Sequence, residues 1–417
     1  MTSIATMVND SPELLAEKVA EQQGKPGYAM DPYFYRSHIT FEKELDEIVF
    51  QSWLYAGHVS QVPNPGDYFQ YEIGEDAIII SRDKEGEIHA LHNICRHRGA
   101  RVCEEMSGNR KTFVCPYHGW VYEMDGSLKA ARDMQVLEGF DQSKHGLKKP
   151  RVCVYEGMIF VNCKPDAPDF EPAMDKIAPG LTPYDLPNAK VAHAQIYKVE
   201  ANWKLALENY LECYHCATAH RAYAKMHTLQ DLDDRVSSIT DDMLARAEEQ
   251  TGVPGITHNI YLAYSSSEEF GNCVYTSRYA LYDGYHSGTK SGQPAAPLMG
   301  KFKGCDGGAG DFQLGPLTFM LNYPDHCVLY RFTPRGITDT DMEIVWFVRG
   351  DAEEGVDYQR DEVTWLWHHT TLEDEYIIMR NSKGVNSRFF EPGPYHPGYE
   401  YICPDFVNWY LGALARS

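Results

Sequence analysis

The chain has 417 residues, 43% hydrophobic and 24% charged, an ordinary globular balance long enough for two hydrophobic cores. A formal net charge of −22 argues against nucleic-acid binding, which needs a basic surface. No apolar run long enough to span a membrane and no basic-flanked signal core occur, so a cytoplasmic protein without a membrane partner is expected, its eleven cysteines mostly reduced.

A negative field suits a cationic substrate or a basic redox partner, although solubility alone accounts for it. Along the chain, SPELLAEKVAEQQ (11–23) reads as a loosely attached helix. In FEKELDEIVFQSWLYAG (41–57), Leu45, Ile48, Val49, Ser52 and Trp53 fall near helical spacing, and the apolar ones face a core. QVPNPGDYFQ stops that helix. From Tyr68 to about Cys163, short β segments separated by turns such as DKEGE and MDGS predict a small antiparallel domain. The proline-rich, acidic KPDAPDFEPAMDK (164–176) reads as a linker.

Beyond it the pattern is mixed. Residues 192–203 read as a strand and 202–220 as one helix. Residues 273–286, 317–336 and 340–350 read as long antiparallel strands. Residues 357–384 predict a long amphipathic helix stopped at Gly384. Residues 286–311, rich in Gly, Pro and Ser, read as a lid or mobile loop.

Two Cys/His pairs carry the first chemistry. Cys95-x-His97 is followed after seventeen residues by Cys115-x2-His118. Each pair fits one tight turn that presents two ligands to one centre. Four such ligands suit zinc or a Rieske [2Fe–2S] cluster, with thiolates on one iron and imidazoles on the other. Zinc fingers typically group cysteines with cysteines and histidines with histidines. Here each pair mixes the two, and the surroundings are β-rich, which favours the cluster.

The stretch CRHRGARV…CPYHGWVYEMDGSL, within residues 41–163, resembles the Rieske domain of ring-hydroxylating-type oxygenase α subunits. The extra loop cysteines of high-potential Rieske proteins are missing: Ala100 follows Gly99, and Pro116 and Tyr117 lie between the second ligands. The resemblance therefore implies the lower-potential oxygenase type, with Cys103 a packed thiol. It also implies an α+β fold: a helical segment over 1–45 packing on the catalytic domain, an antiparallel β Rieske domain over 46–165, and a helix-grip (START-like) catalytic domain over 166–417. A curved antiparallel sheet and a long C-terminal helix would build the catalytic domain.

In such oxygenases the catalytic domain holds a mononuclear Fe(II) on two histidines and one carboxylate, with positions open for O2. The stretch NWKLALENYLECYHCATAH resembles that motif, implying His215 and His220 as ligands. The third would be Asp374 in TTLEDEYIIMRNS, leaving Glu373 and Glu375 as exposed acids on a helix surface. Glu212, expected on the same helical face as His215, takes the place of an acid that bridges subunits in the family. It would link a mononuclear-iron histidine to a cluster histidine, His97 or His118, of a neighbouring chain, which implies a head-to-tail homotrimer. Most of the family has aspartate there, and the glutamate departure, in an LECYHC context, is that of the carnitine and glycine betaine monooxygenase-like subgroup.

The resemblance leaves two enzyme readings and one that is not an enzyme. The chain would be a monooxygenase that hydroxylates, and so N-demethylates, a small quaternary ammonium compound. Alternatively it would be the α subunit of an aromatic-ring dioxygenase, or a Rieske electron carrier with a binding domain. The Glu212 context, the tail EPGPYHPGYEYICPDFVNWY and the 28 tyrosines and 7 tryptophans favour the first, because aromatic faces hold cations. Tyr275, Tyr279, Tyr282, Tyr323 and Tyr330 alternate along expected strands, where core packing also explains them. No G-x-G-x-x-G fingerprint follows a strand, so NAD(P)H would reduce a separate flavin and iron–sulfur reductase.

Overall fold

The computed structural model describes residues 10–229, 231, 234–262, 264 and 273–416. The first nine residues of the expected 1–45 segment lie outside them. The chain forms two compact units, Trp53–Asp169 and Met1–Ser52 with Phe170–Ser417. The architecture is α+β, as expected, and its named strands pair antiparallel.

The smaller unit contains three sheets. One runs Leu54–His58, Met158–Asn162, Arg151–Tyr155. A second runs Ile88–His92, Asp76–Arg82, Asp67–Ile73, Ser107–Asn109, and a third joins Phe113–Val114, Val121–Tyr122 and Leu128–Ala130. The turns DKEGE and MDGS need a left-handed residue, supplied by Gly86 (φ 92°) and Gly126 (φ 83°). Tyr68, Leu91, Phe113, Trp120 and Tyr122 pack into one core with Cys95 and Cys115. Cys103 is a buried free thiol in the same core.

The larger unit is organised by a seven-stranded sheet. Its strands are β1 (Ala189–Val199), β2 (Ile260–Tyr261), β3 (Val274–Ala280), β4 (Gly308–Leu314), β5 (Thr318–Asn322), β6 (Cys327–Gly336) and β7 (Asp339–Arg349), in the order β1-β7-β6-β5-β4-β3-β2. The stretch 317–336 is thus a hairpin, because Tyr323 N–H closes a turn on His326 C=O. Helices α1 (Trp203–Tyr210) and α2 (Arg360–Val385) pack on this sheet and on each other. Tyr197 to His368 (2.6 Å), Tyr330 to Thr371 (2.9 Å) and Trp367 to Tyr323 (3.2 Å) pin α2 to the strands.

Several sequence expectations change. Residues 202–220 are not one helix: α1 ends at Tyr210, and only Cys216–Ala219 form a further turn. The reason is local. The Glu212 carboxylate takes the N–H groups of Tyr214 and His215, which a continuing helix would need. Gly384 does not end α2, which continues to Val385, where the Asn386 side chain bonds Ser382 C=O at 2.8 Å. Residues 286–311 are a packed connection, with Ser287 and Thr289 fully buried and the last four residues in β4. The first helix is firmly seated, Leu15 and Val19 being buried and Gln22 bonding Asp31 N–H at 2.9 Å. Helical structure in 41–57 stops at Val49, and part of the expected linker forms helix Glu171–Leu181.

A fully buried ion pair anchors α1. Lys204 Nζ and Glu44 Oε1 are 2.5 Å apart, both without solvent exposure. Trp203 Nε1 (2.7 Å) and the Tyr410 hydroxyl (2.5 Å) also donate to Glu44. Burial lowers the Lys204 pKa against the pull of Glu44.

Candidate active site

The two Cys/His pairs adopt the same loop twice. Cys95 N–H bonds Ala100 C=O at 2.8 Å, and Gly99 N–H returns to Cys95 C=O at 3.0 Å. Cys115 N–H bonds Trp120 C=O at 2.8 Å, and Gly119 N–H returns to Cys115 C=O at 3.0 Å. Gly99 (φ 80°) and Gly119 (φ 70°) take the left-handed positions that close each loop. His97 and His118 face each other, Nδ1 to Nδ1 at 3.2 Å, and are exposed, whereas Cys95 and Cys115 are buried. His97 stacks on Trp120 with ring centroids 5.0 Å apart. Tyr122 places its hydroxyl 3.2 Å from Cys95 Sγ. Two thiols inside and two imidazoles outside are the donor set of a Rieske cluster.

In the larger unit the turn after α1 and the middle of α2 bring three groups together. His215, His220 and Asp374 each offer one atom, all within 4.8 Å of one another. His220 Nε2 lies 2.8 Å and His215 Nε2 3.3 Å from Asp374 Oδ1, and the two Nε2 atoms are 3.1 Å apart. Asp374 Oδ1 is buried, yet no donor is aligned to bond it. Burial would raise the Asp374 pKa, but the two imidazoles outweigh it and the pKa falls. An orphaned carboxylate oxygen beside two converging imidazole nitrogens fits a metal of the two-histidine, one-carboxylate kind.

Both imidazoles are held from behind. Glu212 Oε1 sits 2.5 Å from His215 Nδ1, and Glu373 Oε2 sits 2.9 Å from His220 Nδ1. Each carboxylate keeps the proton on Nδ1 and turns Nε2 toward the centre. Glu373 is therefore not a spare surface acid; on α2 it reaches the far side of His220 while Asp374 reaches the near side. Glu212 is not on a helical face with His215 but in the turn between helices, where its other oxygen caps Tyr214 and His215 N–H. Cys213 and Cys216 are disulfide-bonded across this turn (Cα–Cα 4.9 Å), the exception to the expected reduced cysteines. The C-x2-C spacing in the sequence was its only signal.

A cavity of about 490 Å³ opens from the triad, lined by Tyr223, Tyr275, Tyr279, Trp367 and Asp311 among others. Tyr323 and Tyr330 instead pack in the core, bonded to His227 and Thr371. Tyr282 bonds Asp231 at 3.2 Å.

The Rieske [2Fe-2S] domain pattern matches residues 52–141, and that of the ring hydroxylating alpha subunit (catalytic domain) matches residues 186–416. The chain belongs to the ring-hydroxylating oxygenase α-subunit family. Such an α subunit is a Rieske non-heme iron oxygenase that carries a [2Fe–2S] cluster and a mononuclear iron. The zinc and simple-carrier alternatives fall with these two matches. The α subunit is 35% identical to the glycine betaine monooxygenase oxygenase subunit of Chromohalobacter salexigens, over 99% of this chain and 93% of that protein. It is also 35% identical to the biphenyl 2,3-dioxygenase subunit alpha of Rhodococcus jostii, but over only 49% of this chain and 45% of that one. A solved quaternary ammonium Rieske monooxygenase, CntA, shares the fold with a TM-score of 0.69 at 20% identity, over 98% of this chain and 99% of that one. Among the described residues no helix is long and apolar enough to cross a membrane.

Proposed function

We propose that this α subunit is a monooxygenase that hydroxylates an N-methyl group of a small quaternary ammonium compound, which then loses the methyl as formaldehyde. The carrying observation is the opening of the His215–His220–Asp374 centre into a tyrosine-rich cavity. Such walls suit a methylated cation better than an anionic aromatic acid. The near full-length similarity to a glycine betaine monooxygenase subunit supports the same substrate class.

In this reading Cys95, His97, Cys115 and His118 hold the cluster, and His215, His220 and Asp374 hold Fe(II). Bound there, the iron supplies O2 activation. The chain itself supplies orientation: Glu212 and Glu373 fix the imidazole tautomers, and the buried Asp374 completes the ligand face. Electrons would come from NAD(P)H through a separate flavin and iron–sulfur reductase.

Glu212 is assigned as the contact between subunits of a homotrimer, meeting a cluster histidine of the neighbour. Two features support this. His97 and His118 are exposed, and exposed apolar residues, Tyr117, Val114 and Ile94, surround their loops, as a docking face requires.

The test is substrate-dependent O2 uptake with a reductase, comparing glycine betaine, carnitine, choline and benzoate-type acids. Formaldehyde release with a betaine is the expected result. Uptake with aromatic acids alone would favour the dioxygenase reading.

A further inference from the structure

Asp311 lies on β4, in register with Ser277 of β3 and Leu321 of β5. Side chains two residues apart on a strand share a face. Tyr275 and Tyr279 flank Ser277 on β3, so they share the face of Asp311, and Tyr261 on β2 pairs with Tyr275. All of these, with Tyr401, line the cavity of the metal triad.

Outside the metal triad, other deeply buried acids among the described residues of this unit are satisfied. Glu44 has Lys204, Asp306 has Arg278, Asp325 has His326, and Glu208 has the hydroxyls of Tyr35 and Tyr395. Among the described residues Asp311 accepts only the N–H of Phe312, and no Lys, Arg or His pairs with it. Burial pushes its pKa up to about 7. It is set deep, but part of its surface stays open to the cavity. Its charge acts on Tyr261, Tyr275, Tyr279 and Tyr401, and Tyr223 feels both Asp311 and Asp374. The unpaired acid and the metal triad thus bracket one space.

Resting on the quaternary ammonium reading above, we infer that Asp311 is the counter-ion that selects a cationic substrate, with Tyr261, Tyr275, Tyr279 and Tyr401 as the aromatic wall around the ammonium group. A quaternary nitrogen has no N–H to donate, so its recognition needs charge and aromatic faces rather than hydrogen bonds. Asp311 supplies the first and the tyrosines the second. A neutral ligand of the same shape fills the cavity but leaves the carboxylate without a partner, so Asp311 also discriminates against it.

The test compares glycine betaine with 3,3-dimethylbutyrate, the isostere that keeps the carboxylate but carries a neutral tert-butyl group in place of the ammonium, by calorimetric binding to the holoenzyme. Wild type is expected to prefer glycine betaine. Asp311→Asn, with its cluster spectrum and iron content intact, should weaken glycine betaine about 10- to 100-fold and should not weaken the isostere. Retention of the wild-type preference by Asp311→Asn would overturn the assignment of Asp311 while leaving the substrate class standing. A wild-type enzyme that binds both equally would overturn both. A second measurement needs no variant: tetramethylammonium should displace glycine betaine from wild type, and tert-butanol at the same concentration should not. Equal displacement by the two would also overturn the assignment.

Discussion

Glu212 and His215 are joined carboxylate to imidazole at 2.5 Å, although Glu212 lies outside any helix. The same carboxylate ends α1 and orients a metal ligand. Glu212→Ala, kept iron-loaded with excess Fe(II), is expected to reduce its cluster normally and lose turnover by about 10- to 100-fold, a loss on the scale of outer-shell partners of ligating histidines. Cluster reduction followed optically, beside product formation in the same sample, checks this. Wild-type product formation would sink the bridging role.

Glu373 and Glu375 are sequence neighbours with different duties. Glu373→Ala should weaken iron retention about 10- to 100-fold, because His220 loses the acceptor on Nδ1. Glu375→Gln should leave it unchanged. Iron analysis after graded chelation reads both: wild type starts at about three irons per chain, and the Glu373 variant should fall toward about two as the cluster irons remain.

Lys204→Met leaves Glu44 buried without its cation. Stability should drop by about 3–5 kcal/mol. Adding Glu44→Leu should recover much of the loss, since a buried pair replaced whole costs far less than one partner removed. Urea unfolding of the three variants measures it.

Glu208 is buried between Tyr35 and Tyr395, and burial raises its pKa from 4.5 to about 7. A carboxyl with a raised folded pKa binds its proton more tightly when folded. Its contribution to stability is therefore complete below pH 4.5 and is lost as pH rises through 7. Relative to Glu208→Gln, which does not titrate, wild type should lose stability across that window, by up to about 3 kcal/mol. Melting curves of both proteins from pH 4.5 to 8 test the slope.

Much of the site was legible in the sequence because its chemistry is local. Cys95-x-His97 and Cys115-x2-His118 each close one short loop, so spacing alone implied their geometry. His215 and His220 sit on one turn for the same reason. Asp374 was reached only through the family resemblance, since it comes from α2, 154 residues beyond His220. Glu373 and Asp311 carried no readable signal. One looked like an exposed helix acid, and the other lay at the end of a glycine-rich stretch that read as a mobile loop. Their partners are set by tertiary packing, which helix and strand periodicity do not encode. The helix expected over 202–220 failed where a side-chain acceptor, Glu212, outcompeted the backbone ladder.

The Glu44 cluster ties three distant stretches of chain, at Glu44, at Trp203 and Lys204, and at Tyr410. Two stretches far from it in sequence are thereby fastened to the helix that leads into the metal-binding turn. Trimming the chain past Glu44 or before Tyr410 would unseat that helix from a distance, so a shortened version would lose its iron for reasons no inspection of the ligands would reveal.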